Sequence, residues 1–177
     1  MNQEKIFHVA GYVKLAKLWE RNKEKAIVYH NDYFIKKFSN DDRFELHGVY
    51  VDITGNKEIR KRKAMLRLLK VIQLGKVNCI ATPTRAYLAA NSRDFNYLLH
   101  YLFCLDHRID IVTEDDHYQI DTIRNEDQQR EALEKMTAEF VEIDKSSYMK
   151  WKTGIERAIN DLTAEDESDV AGQTRGN

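Results

Sequence analysis

Proline occurs once in these 177 residues, cysteine twice and glycine seven times, and each scarcity removes a class of protein. A chain so poor in proline and glycine is not a low-complexity or linker sequence; with 42% hydrophobic and 32% charged residues it reads as a globular domain with helical bias. Cys79 and Cys104 both lie inside apolar segments, which predicts buried, reduced thiols rather than a disulfide framework. No stretch reaches the ~18 continuous apolar residues of a membrane span. The segment MNQEKIFHVAGYV carries an acidic residue and too short an apolar run for a signal peptide, so a cytoplasmic location is expected. Excess charge of one sign is also missing: the net formal charge is -1, and any footprint for a polyanion has to be local. Glycine-rich phosphate loops are absent, and the six histidines show no metal-ligand spacing with cysteines or carboxylates, so neither cofactor nor metal is expected.

What is present is organised around Val49 to Tyr87. A strand-like VYVD opens into a turn at Thr54-Gly55 and a charged loop. Met65, Leu68, Leu69 and Ile72 then recur three or four apart, the stripe of a core-facing helix. Gly75 closes that helix, Val77 to Ala81 reads as a short buried strand, and Pro83 ends it just before Thr84-Arg85. Arg62 and Arg85 thus leave the ends of neighbouring elements of one βαβ unit and could converge on one anion.

Ile6 to Leu15 alternates as a first, central strand, and Trp19, Ala26, His30, Tyr33, Phe34 and Phe38 mark a helix packed on the sheet. Phe44 to Asp52 is a second strand. Asn91 to His107 is a helix with Asn91 or Ser92 as its cap, and Ile109 to Val112 is a further strand. Strands alternating with helices predict an α/β fold: a mostly parallel sheet of four to five strands with helices on both faces, over residues 1–125.

From 126 to 162 the pattern is helical, with apolar positions at Leu133, Met136, Phe140, Ile143, Trp151, Ile155 and Leu162. One such helix is roughly 50 Å long, while a body of this size is about 30 to 35 Å across. It would project and pair through its stripe with a second copy. The alternative is two helices, broken near Ser146-Ser147 or Gly154 and folded back on the sheet. Residues 163–177, TAEDESDVAGQTRGN, read as a disordered acidic tail.

Taken together, GYVKLAK, DITG, RKAMLRLLKVIQLGKVNCIA and the later ED…IDT resemble, in order and spacing, the catalytic domain of resolvase/invertase-type serine recombinases. The resemblance implies a resolvase-like fold with a long C-terminal dimerisation helix, and a function in site-specific DNA recombination or integration. In that family a serine hydroxyl attacks a DNA phosphate while arginines stabilise the charge that develops. Carried onto this chain, the nucleophile position falls on Ala16, which has no hydroxyl. Lys14 stands where an arginine is expected, Arg62 matches the arginine before the second helix, and Thr84 replaces an aspartate. Arg85 matches its arginine, and Leu88 replaces another.

The resemblance therefore implies a catalytically inactive, DNA-associated or regulatory partner. Two alternatives stand beside it: an active subunit complemented by a partner, and a dimeric α/β interaction domain without DNA. Lys14, Arg60, Arg62, Lys63 and Arg85 are the expected phosphate-binding set, giving weak, backbone-directed affinity. The expected pairing, through 126–162, is with itself or with an intact recombinase. No helix-turn-helix or zinc module follows the long helix, so sequence-specific reading by this stretch alone is not expected.

Overall fold

Side-chain alternation along the first strand decides which helix covers which face. The computed structural model describes residues 4–124 and 126–174. In it β1 (Phe7–Leu15) is an inner strand with a neighbour on each side. Phe7, Val9 and Val13 pack with Phe34 and Phe38 of α1 (Lys23–Phe38). Ala10 and Tyr12 belong instead to the larger core formed with α2 (Lys63–Gln73) and α3 (Ser92–Phe103). Successive strand residues face opposite ways, so a strand apolar at both parities requires a layer on each side. Gly11 faces α1, and a Cβ there would lie 2.7 Å from the Phe34 ring, so only glycine lets strand and helix approach this closely.

The remaining strands are β2 (Phe44–Ile53), β3 (Cys79–Thr82) and β4 (Asp110–Thr113). All pairings are parallel and the order is β2-β1-β3-β4. After β4 the chain turns back antiparallel: Val112 bridges Asp121, and the Thr113 amide donates to the Ile120 carbonyl at 2.7 Å. The register of β1 on β2 steps from Val9↔Leu46 to Ala10↔Gly48, which leaves His47 as an extra residue. Gly75 ends α2 with φ +75°, a left-handed conformation that glycine adopts without strain. The cap of α3 is Asn91, whose side chain accepts from the Asp94 amide at 2.9 Å. That helix stops at Phe103 instead of His107, so Cys104 is exposed rather than buried; Cys79 is buried, and both are free thiols.

The C-terminal part differs from a single helix over 126–162. It forms α4 (Glu126–Ile143) and a long α5 (Lys145–Thr174), with the break at Asp144. The Asp144 carboxylate accepts from the Ser147 amide at 3.1 Å and the Ser147 hydroxyl at 2.7 Å, a side-chain cap that starts a new helix. Tyr97 of α3 is the reason the chain folds back. Its ring lies 5.4 Å from Tyr148, 5.7 Å from Trp151 and 5.9 Å from Phe140, joining α3, α4 and α5 in one aromatic cluster.

Ile155, Ile159 and Leu162 of α5 are buried in the main core. Each contributes about 1.5–3 kcal/mol, so the body itself takes most of the stripe expected to seek a second copy. Met136, Ile143 and Met149 stay exposed, Ile143 at 83%. Helix α5 continues past Leu162 through residues expected to be a disordered tail, and Asp166 pairs with Arg67 at 3.0 Å. Residues 175–177 of that tail lie outside the described residues. Among the described residues no helix is long and apolar enough to cross a membrane.

Candidate functional site

Parallel pairing brings the C-terminal ends of all four strands to one edge, the edge at which open α/β sheets place their ligands. The segments carrying Lys14, Ala16, Asp52, Thr84 and Arg85 therefore meet there. Ala16 follows β1 in extended backbone (φ -63°, ψ 151°) and is exposed, and its carbonyl accepts from the Trp19 amide at 3.0 Å as the 3-10 turn Lys17–Asn22 begins. Lys14 pairs in register with Asp52. Partial burial lowers its pKa, the charges of Arg62 and Lys57 act in the same direction, and Asp52 opposes them.

Behind this edge lies a buried polar frame. The Tyr12 hydroxyl donates to Asp52 Oδ2 at 2.8 Å. The Asp52 carboxylate in turn accepts the Ala64 and Met65 amides, both at 2.9 Å, and so satisfies donors of the first turn of α2. Burial, followed by the charge of Asp52, pushes the Tyr12 phenol well above its ordinary range and keeps it neutral.

Arg62 belongs to the frame, not to the surface. Its side chain is 0% exposed. Nη1 donates to the Tyr87 carbonyl at 2.8 Å and to Leu88 at 3.3 Å, Nη2 to Lys57 at 3.0 Å, and Nε to Asn56 at 3.3 Å. A guanidinium enclosed by four backbone carbonyls staples two loops together, which does not fit the expected role of open phosphate ligand. Leu88 is likewise no edge residue: it is fully buried in the main core.

Thr84 and Arg85 do sit at the edge, just beyond β3, and they have a partner that sequence reasoning missed. Asp115 accepts from the Thr84 hydroxyl at 2.7 Å and from the Arg85 amide at 2.9 Å. Burial alone would raise the Asp115 pKa, but the hydroxyl, the amide and the Arg85 charge outweigh it and hold it below the ordinary carboxylate value. Thr84 thus occupies the position of an expected aspartate, while a carboxylate arrives from the loop after β4. The signal available was topological: β4 ends at Thr113 beside β3, so its loop must meet the Thr84 turn. Neighbouring Glu114 is held by Tyr33 and Lys37.

The Arg85 guanidinium is exposed, lies 5.1 Å from the centroid of the Tyr118 ring, and forms no ion pair among the described residues. Arg60 is paired with Glu58 at 2.7 Å, which removes part of its charge from the expected basic set. Lys63 is exposed at the start of α2 and, with Lys23, Lys61, Arg67, Glu20 and Asp52, lines a cleft of about 330 Å³.

A parallel α/β sheet of this order, with helices on both faces and a long final helix, is a resolvase-like fold. Among solved structures it is similar to the N-terminal catalytic domain of TP901-1 integrase. That likeness has 17% identity and a TM-score of 0.55, over 78% of this chain and 96% of that one. A resolvase family site-specific recombinase from Streptococcus pneumoniae is also similar, with 18% identity, a TM-score of 0.49 and coverage of 86% and 98%. No protein-family model matches the chain, and no curated protein matches it.

Proposed function

We propose that the chain is a serine-recombinase-type domain that associates with DNA in site-specific recombination but does not cleave it. The observation that carries this reading is the methyl group of Ala16 at the exposed end of β1, where the resemblance puts the attacking hydroxyl. Without an oxygen there, no phosphoserine link can form. Of the positions that agree with the recombinase pattern, Gly11 against Phe34, Asp52 on the first turn of α2 and Arg62 on its carbonyls build the domain, and Arg85 lies at the open edge. Of those that depart from it, Lys14, Ala16 and Thr84 lie at the open edge and Leu88 is buried in the core.

DNA would meet this edge through Lys14, Lys63 and Arg85, with Arg60 tempered by Glu58. Contacts to phosphate of this kind give salt-dependent, sequence-blind binding. Pairing with a second copy, or with an intact recombinase, would use the part of 126–162 that the body leaves open, at Met136, Ile143 and Met149. Two measurements test the reading. Incubation with nicked half-site DNA followed by denaturing electrophoresis should give no covalent adduct, and an adduct would establish an active subunit. A gel shift repeated at rising salt should show binding that weakens steeply, and no shift at low salt would leave only an interaction domain unconnected with DNA.

A further inference from the structure

Two aromatic rings stand on this edge where no core requires them. Trp19 lies in the turn that follows Ala16 and is 44% exposed, flanked by Lys17, Arg21 and Lys23 with Glu20 between them. Tyr118 lies in the loop after β4 and is 79% exposed. Its φ of 61° makes it the one non-glycine residue among those described that holds a left-handed backbone, a conformation disfavoured for a bulky side chain. The Arg85 guanidinium packs at 5.1 Å from its ring centroid, and Arg85 is itself seated by Asp115, which takes its amide. A ring supported by a cation and otherwise open to solvent is the arrangement on which a base stacks, with the guanidinium beside it for the adjoining phosphate.

We infer that this edge binds unpaired nucleotides, with Tyr118 on Arg85 as a stacking platform for one base and Trp19 as a second ring along the same edge. The inference rests on the DNA role proposed above and specifies its substrate. Bases in a duplex have their faces covered by their neighbours, so a platform of this kind selects single-stranded or locally opened DNA. Lysines alone would not make that distinction.

The test is fluorescence anisotropy with a labelled mixed-sequence 20-nucleotide strand, alone and annealed to its complement, at one fixed low salt concentration. The single strand should bind at least tenfold more tightly than the duplex, and Tyr118→Ala should remove about tenfold of the single-strand affinity while leaving duplex binding unchanged. Tyr118→Gly, which accommodates the backbone angle, should behave like the alanine variant, and Tyr118→Phe should behave like wild type. Trp19 fluorescence should be quenched by the single strand. Equal binding of both forms, unaltered by Tyr118→Gly, overturns the platform and leaves the proposed DNA role standing. Binding of neither form removes both.

Discussion

Arg62 Nη1 donates to the Tyr87 carbonyl at 2.8 Å, tying the N-terminus of α2 to the turn that follows β3. Arg62→Ala would leave four backbone carbonyls without this donor group. Only the Leu88 contact is wholly buried and the other carbonyls can regain water, so at about 1–3 kcal/mol for a buried polar group left unpaired the loss should reach about 1–3 kcal/mol. Lysine carries its charge on a single nitrogen rather than a fork, so Arg62→Lys should recover only a small part. Urea denaturation measures both.

Arg85→Ala should behave in the opposite way. The side chain is exposed and holds nothing in the core, so stability should stay within about 0.5 kcal/mol while salt-dependent DNA binding weakens. A comparable fall in the denaturation midpoint for both arginine variants would contradict the division of the site into frame and edge.

Gly11→Ala should destabilise the sheet–α1 contact by about 1–3 kcal/mol, because the added methyl meets the Phe34 ring at 2.7 Å. Phe34 lies in a packed cluster with Phe38 and Val9 and cannot simply turn away. Combining Gly11→Ala with Phe34→Leu should cost less than the sum of the two single changes, which a double-mutant cycle in urea reads directly.

Asp115 gives the edge a pH dependence of definite sign. Its folded pKa is depressed, so its contribution is present above the unfolded value of about 3.9 and is lost as the pH falls through the lower, folded value. The Arg85 amide resonance should therefore titrate with a midpoint below that of a free carboxylate. Asp115→Asn should abolish the titration. A midpoint at or above the unperturbed value of about 3.9 would mean that the Thr84 and Arg85 hydrogen bonds do not persist in solution.

On the proposed reading Ala16→Ser alone should not create DNA cleavage, since the resemblance expects a carboxylate at Thr84 and an arginine at Leu88, which is buried in the core. The readout is the absence of a protein–DNA adduct on denaturing gels.

The sheet and its helices were legible because their signals are local. Alternation marks β1, the Met65–Ile72 stripe marks α2, and Gly75 marks where α2 stops. The fate of Arg62 was not legible. A lone cation in the basic run KEIRKRK looks like its neighbours, and only the meeting of two loops puts four carbonyls around it. The break at Asp144 had a local signal in the cap preceding Ser146-Ser147. Whether the apolar stripe meets its own body or another chain, however, depends on Tyr97, some fifty residues earlier. Asp115 was hidden for a related reason: in sequence it is one of three adjacent acidic residues, and only the order of β3 and β4 singles it out.

The extra residue His47 in β2 bears on how the protein behaves when concentrated. β2 is the outermost strand on its side, ten residues long, with its outer row of amides and carbonyls unmatched by any strand among the described residues. A straight edge of that length would be a template for stacking one molecule upon another. The bulge at His47 interrupts the regular spacing and increases the local twist, so an incoming strand could match only one half of the edge at a time.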